Sequence, residues 1–348
     1  MNGEISHGLP PLSTAGNCIV EMRTGKIIML RGVNRSGLEY SEPTQGGFLS
    51  SAALSQADVE EMVVGWGVNV IRLPFNQDWA MRGRGSFSAE CYRHALDQVI
   101  SWAAELGAYT LLDLQWLDAD TPYGRLADGS VNRVAPLPNP ASIELWAILA
   151  ERYRNEPAVL FDLFNEPHAP LKDDQNPMCI VTVDGAMEIC KPRIFDAEDW
   201  TRWAAKILAT IREIHPGAVA WVSGVDWGFD LRGVQIDAPN IVYSAHVYPN
   251  RSRSQWRSRF GHSCFERPLF IGEWGGCASD LRWGSGLISY MKGRTCGWTA
   301  WSWADLPMLV VNARIGDYRP TDFGKLVRSD LLLKSTSRAI VSPDPSRK

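Results

Sequence analysis

Two glutamates carry the chemistry that this sequence offers. Asn165-Glu166-Pro167 ends an apolar run from Val159 to Phe164, and Gly272-Glu273-Trp274 ends a second, from Leu269 to Ile271. Each places a carboxylate where a buried strand should give way to a loop. In an α/β barrel that end of the strand faces the mouth where the chemistry is done. Two carboxyls facing each other across such a mouth suit cleavage of a glycosidic bond. One protonates the leaving oxygen while the other attacks or activates water.

Positioning them requires a regular scaffold, and the chain reads as alternating strands and helices. Candidate strands are Ile27–Val33, Val68–Leu73, Tyr109–Leu114, Val159–Phe164, Val219–Ser223, Ile241–Ala245, Leu269–Ile271 and Trp298–Trp303. Most are almost continuously apolar, as strands buried on both faces must be. Between them lie helical patterns with start and stop signals. Ser55 opens one that stops at Gly65. Ser88 opens another, with Cys91, Ala95, Leu96, Val99, Trp102 and Ala103 at helical spacing before Gly107. Asp196 opens a third, closed by Pro216-Gly217. Eight strand–helix units predict a single-domain α/β fold, a (β/α)8 or TIM barrel. The expected division is an N-terminal extension over residues 1–26, the barrel over 27–333 and a polar tail over 334–348.

Composition narrows the classes. The chain has 348 residues, is 45% hydrophobic and 21% charged, and has a net charge of −4, which excludes a disordered chain and a basic footprint for nucleic acid. Nothing approaches a membrane-spanning run. Met1 to Asn17 lacks a basic start followed by an apolar core, so no export signal is visible. The 15 Trp residues offer flat faces for sugar rings, although at least half are expected in the core. Trp79, Trp116, Trp227 and Trp274, each shortly after a candidate strand, are the expected groove platforms. The seven Cys leave at least one thiol unpaired within the chain. Cys179 and Cys190 are an expected bridge if the protein is exported, with two free thiols the alternative in a reducing compartment.

Further polar residues line up on successive strand ends. They are Arg72 on the second, Gln115-Trp116 after the third, Asn165 and Glu166 after the fourth, and His246-Val247-Tyr248 after the sixth. Glu273-Trp274 follows the seventh, and Trp301 lies in the eighth. This ordered set, over roughly Ile27 to Leu333, resembles glycoside hydrolase family 5, the cellulase family of retaining barrel glycosidases. The resemblance implies that Glu166 is the acid/base and Glu273 the nucleophile. It places Asn165 against the substrate 2-hydroxyl, His246 on the acid/base side and Trp301 as a sugar platform. Arg72 and Tyr248 are cationic and hydrogen-bonding neighbours that would keep Glu273 ionised. One position departs from the family, which usually has His where this chain has Gln115. Gln can exchange hydrogen bonds with a sugar hydroxyl but cannot become charged. Glu39, in Ser36-Gly37-Leu38-Glu39-Tyr40, resembles a first-loop acid of some family members and is a candidate sugar contact.

The remaining signals are weaker. Arg251, Arg253, Arg257 and Arg259 read as a solvated loop face, with an acidic glycan as the alternative. Asp118, Asp120 and Asp128 lack the order of a calcium loop and read as turn residues. No phosphate-binding loop, nucleophile elbow or zinc spacing appears, so neither cofactor nor metal is expected. The expectation is a monomeric retaining hydrolase acting on an oligo- or polysaccharide, with β-1,4-glucan first. Mannan, xylan, mixed-linkage glucan, a small glycoside or a glycolipid are the alternatives, as is a non-catalytic carbohydrate-binding barrel. Its expected location is extracellular or periplasmic with the export signal outside this sequence, the cytoplasm being the alternative.

Overall fold

The computed structural model describes residues 8–126, 128–169, 179–181, 187–189, 197–276 and 281–335. Eight parallel strands close into a barrel. They are β1 (Arg31–Asn34), β2 (Val70–Asn76), β3 (Tyr109–Trp116), β4 (Val159–Asp162), β5 (Ala220–Ser223), β6 (Ile241–Val247), β7 (Leu269–Trp274) and β8 (Gly297–Ala300). Each pairs with its neighbours in sequence, and β8 returns to β1. All eight expected strands are present.

Their ends differ from expectation for physical reasons. Ile27 is exposed and bridges Val20 of an N-terminal hairpin, Leu12–Ala15 with Cys18–Glu21, so β1 begins later, at Arg31. The hairpin works as a floor plug. Its Leu12 and Ile19 pack with Leu30, Val70, Leu111, Leu160, Trp221, Val242 and Phe270 at the closed end of the barrel. β8 stops at Ala300, and Trp303 turns away to pack edge-on against Trp66.

Strand alternation explains what lies above that floor. Side chains two residues on point to the same face. Two residues beyond the apolar floor come Arg72, Asp113, Asp162, Ser223 and Ser244, all fully buried. The barrel interior is therefore apolar below and polar above, and the polar rank opens toward the strand ends.

Helices cover the outside. Ser55 caps Gln56–Glu60 in a reciprocal capping box, and the chain continues through a wider turn to Gly65. Ser88 caps Ala89–Glu105. Asn139, followed by Pro140, caps Pro140–Tyr153. The expected third helix runs Ala197–Ile214, while its opening residue Asp196 lies outside the described residues. Leu281–Lys292 and Asp322–Ser335 follow β7 and β8. The link from β5 to β6 is the exception: residues 224–240 contain turns and no helix. Among the described residues no helix is long and apolar enough to cross a membrane. The Cys179–Cys190 expectation falls outside the described residues, since the placement of Cys190 is not described.

Candidate active site

Arg72 organises the polar rank. Its guanidinium is fully buried and has five N–H groups to satisfy. Nε donates to Asp162 at 2.8 Å, Nη1 to Asn34 at 2.9 Å and to Glu273 at 2.8 Å, and Nη2 to Asn165 at 3.0 Å. Nη2 also lies 2.9 Å from Asp113. Burial alone would lower the pKa of Arg72, but Asp113, Asp162 and Glu273 outweigh it and raise it. One cation faces three carboxylates here, so the set favours retaining a proton. Burial raises Asp113 well above the usual carboxylate range and raises Asp162 as well, with Arg72 opposing both shifts.

Glu273 sits above this cation at the end of β7. Oε1 accepts from Arg72, and Oε2 accepts the Tyr248 hydroxyl at 2.7 Å. Burial, and then the charges of Glu273 and Glu166, raise the Tyr248 hydroxyl well above its ordinary value, so it remains a donor. Both carboxylate oxygens thus have donors. Gly272 is needed beside it. A Cβ there would lie 2.5 Å from Ser244 Oγ and 2.9 Å from His246 Nε2.

Glu166 follows β4 with φ of +51°, in the left-handed region that side-chain-bearing residues seldom adopt. Its Oε1 is 2.9 Å from His246 Nδ1, and 16% of its side chain stays exposed. The same imidazole nitrogen lies 3.7 Å from Glu273 Oε2. One carboxylate oxygen of Glu166, one of Glu273 and a ring nitrogen of His246 all lie within 4.8 Å of one another. Burial raises the pKa of Glu166; the His246 hydrogen bond opposes that and the Glu273 charge adds to it.

Around this pair several buried polar atoms have no partner among the described residues. They include Gln115 Oε1, Asn165 Nδ2 and His246 Nε2. Buried polar groups are normally hydrogen-bonded, so atoms left over at a barrel mouth are suited to a polar ligand. Trp116, Trp227 and Trp301 are half-buried at the strand ends. Trp79 and Trp274 are not platforms: both are fully buried. Trp79 packs against Phe48 and Tyr92, and Trp274 against Trp298 and Phe323. Position after a strand does not fix direction, and these two side chains point outward into the helix layer.

Asp118 and Asp128 cap turns at Asp120 and Ser130, and Asp120 pairs with Arg84. Arg251 grips Asp226 and Arg259 pairs with Asp230, which occupies part of the arginine-rich face. Three contributors to the mouth carry weak sequence signals. Tyr40 donates to both Asp305 oxygens, at 2.7 and 2.6 Å, tying the loop after β1 to the loop after β8. His168 stacks on Trp227. Asp113 stands two residues before Gln115, on the same face of β3, and that spacing was the available clue.

Glu39 is buried in the loop after β1, and its Oε2 accepts the Gly37 N–H at 2.7 Å. Burial, with Asp305 adding and Arg35 opposing, pushes its pKa from 4.5 to about 8. A carboxyl with a raised folded pKa contributes stability that is complete below its unfolded pKa and is lost as pH rises toward the folded value. Glu39→Gln removes that titration. The variant should lose less stability than the parent between pH 5 and 8, with a difference on the order of a few kcal/mol. Urea unfolding at the two pH values measures it, and identical pH dependence in both proteins refutes the assignment.

The description "Cellulase (glycosyl hydrolase family 5)" matches residues 25–306. An endoglucanase of Paenibacillus polymyxa is 25% identical over 342 residues, covering 83% of this chain and 78% of that protein. Endoglucanase E-5 of Thermobifida fusca is 19% identical and covers 81% of this chain and 53% of its own length. Among solved structures, the β-glucanase SdGluc5_26A of Saccharophagus degradans in complex with cellotetraose superposes with a TM-score of 0.70 at 21% identity, over 94% of both chains. The chain belongs to the cellulase family, glycosyl hydrolase family 5, and is a glycoside hydrolase.

Proposed function

We propose that this enzyme is an endo-acting β-1,4-glucanase that works with retention, with Glu273 as nucleophile and Glu166 as acid/base. The observation that carries the reading is the approach of the two carboxyls, with an oxygen from each within 4.8 Å of the other and of His246. Retaining enzymes hold their carboxyls about 5–5.5 Å apart, and inverting enzymes leave about 6.5–9.5 Å for a water molecule. The endoglucanase relatives and the cellotetraose-bound neighbour support glucan as the substrate.

In the first step a Glu273 oxygen forms a bond to the anomeric carbon. The glycosidic C–O bond breaks, and Glu166 gives its proton to the departing oxygen. In the second step Glu166 takes a proton from water as the water oxygen displaces Glu273. Arg72 and Tyr248 hold the attacking carboxylate. Asn165 Nδ2 and Gln115 Oε1 meet sugar hydroxyls, and Trp301 carries the sugar at the cleaved bond. His246 fixes the Glu166 carboxyl. The pKa of Glu166 follows the cycle. Before attack the Glu273 charge helps keep Glu166 protonated. Once Glu273 is esterified that charge is gone, and the carboxylate form is favoured when a base is needed. A polymeric substrate cannot cross a cell membrane, so this reading puts the site of action outside the cytoplasm.

The test is hydrolysis of a panel of soluble β-glucans, mannan and xylan, followed by reducing-sugar release and by proton NMR of the first product. Release from β-1,4-glucan with a rapid fall in viscosity and the β-anomer appearing first is expected. The α-anomer appearing first removes the double-displacement reading, and activity confined to mannan or xylan removes the glucanase reading.

A further inference from the structure

Behind Glu166 lies a cluster that the two chemical steps do not use. His168 is fully buried, two residues after Glu166. Its Nε2 is 3.3 Å from Asn132 Nδ2, an amide nitrogen that can only donate. The Asn132 Oδ1 is occupied by the Val134 N–H at 2.9 Å, which fixes the amide's orientation. Nε2 is therefore the acceptor, and the imidazole hydrogen is on Nδ1, which donates to the Glu166 backbone carbonyl at 2.8 Å. Burial keeps the ring neutral, with its pKa down to about 4.

The His168 ring lies flat on the Trp227 indole, with centroids 3.6 Å apart and planes within 9°. Trp227 also donates its backbone N–H to the Pro167 carbonyl at 3.2 Å. The turn that carries it is strained. Asp226, Trp227 and Gly228 have φ of +57°, +61° and +73°, three successive left-handed residues of which two bear side chains. Gly228 has no alternative, because a Cβ there would meet the His246 ring at 2.7 Å. Arg251, from the loop after β6, holds the turn by the Asp226 carboxylate at 2.9 Å and the Asp226 carbonyl at 2.8 Å. The Gly228 carbonyl accepts the His246 N–H at 3.0 Å. Strain of this kind persists only where its surroundings enforce it, and it gathers at functional sites. Here it presents an indole that is backed on one face by His168 and is still half-exposed beside Glu166.

We propose that His168 is a positioning residue that locks the peptide of Glu166 to the Trp227 indole, fixing the acid and the expected groove platform relative to each other at the departing sugar. The proposal rests on the reading of Glu166 as the general acid. One side chain then sets two alignments at once. The hydrogen bond to the carbonyl holds the acid, and the ring face holds the platform against which the leaving sugar is protonated.

Cellohexaose and β-cellobiosyl fluoride separate the two effects, because fluoride needs little protonation and occupies no platform. Trp227→Ala should raise KM for cellohexaose about five-fold, as expected for one lost ring stack, and KM for the fluoride by less. His168→Ala should raise the cellohexaose KM and lower its kcat, with a smaller kcat loss on the fluoride. His168→Gln keeps a donor for the Glu166 carbonyl and should recover kcat more than KM. His168→Phe keeps the ring face and should recover KM more than kcat. Thermal melts check that each variant is folded. Equal losses on both substrates in folded His168→Ala, or an unchanged cellohexaose KM in Trp227→Ala, overturns the proposal. If His168→Ala does not fold, the split between the Gln and Phe variants decides: parallel losses in both count against it. Glu166→Gln distinguishes this failure from failure of the underlying reading. If that variant spares kcat/KM for the fluoride while His168→Ala does not, only the positioning role is lost.

Discussion

With Glu273 as the proposed nucleophile, Glu273→Gln should abolish glycan turnover, with kcat falling at least about 10⁴-fold, a barrier increase of roughly 5.5 kcal/mol. The substitution keeps the volume and one acceptor for Arg72 or Tyr248, which now hold the two carboxylate oxygens at 2.8 and 2.7 Å. What it removes is the proposed nucleophile: a neutral amide does not form the glycosyl ester. Glu166→Gln behaves differently. Its kcat/KM, which reports the first step, should fall steeply on natural glycans, whose leaving oxygen must be protonated, and much less on aryl glycosides with acidic phenol leaving groups. Its kcat should fall on both, because the second step lacks its base. Steady-state kinetics on both substrate types read the contrast. If Glu166→Gln loses the same factor in kcat/KM on both, or if Glu273→Gln retains turnover on either, the assignment of roles is reversed or void.

The barrel was legible because its strands are buried on both faces and hence nearly continuously apolar, a pattern that survives without any partner information. Strand ends were less so. Ile27 and Ile28 look like the start of β1, but Ile27 extends the N-terminal hairpin through its bridge to Val20. The position of the two glutamates was legible because each ends an apolar run, where a buried strand gives way to a loop at the barrel mouth. The cation beneath it was legible only in part. Arg72 stands out within an apolar strand, but its partners Asp113 and Asp162 are single aspartates inside the runs Leu111 to Leu114 and Val159 to Phe164, and reading those runs as continuous hides them. Trp227 was visible as a candidate platform, and Trp79 and Trp274 looked the same. The difference lies in the direction of each side chain, which loop geometry sets. His168 gave almost no signal, because its role depends on a turn that belongs to β5 and on an amide contributed by the loop after β3.

Arg72→Met should be the most destabilising single substitution in the barrel interior. The side chain is fully buried, and its five N–H groups face three carboxylates and two amide oxygens. Removing one partner of a buried ion pair costs about 3–5 kcal/mol, because the remaining charge has neither water nor counter-ion. Here more than one carboxylate is left. The sign of the pH dependence follows from Asp113 and Asp162. Burial already raises both, and Arg72 opposes the shift. Without Arg72 they rise further, so they bind protons in the folded state over a wider range above their unfolded pKa. Stability is then lost progressively as pH rises through that range, and the defect should be smallest near pH 4 and largest near pH 8. Asp113→Asn in the Arg72→Met background removes one uncompensated charge and should recover part of the loss. Arg72→Lys should fold better than Arg72→Met, yet with three donors on a point charge it cannot bridge Asp162, Asn165 and Glu273 together, and kcat should stay low. Guanidinium unfolding at several pH values, with kcat measured alongside, tests the set. An Arg72→Met protein as stable as the parent at pH 8, or one whose defect shrinks as pH rises, shows that the carboxylates beneath Glu273 do not depend on this cation. Stability and catalysis meet in this one side chain. The guanidinium that neutralises the buried aspartates through Nε and Nη2 also aims Glu273 through Nη1, so a substitution that preserves only the charge loses the aim.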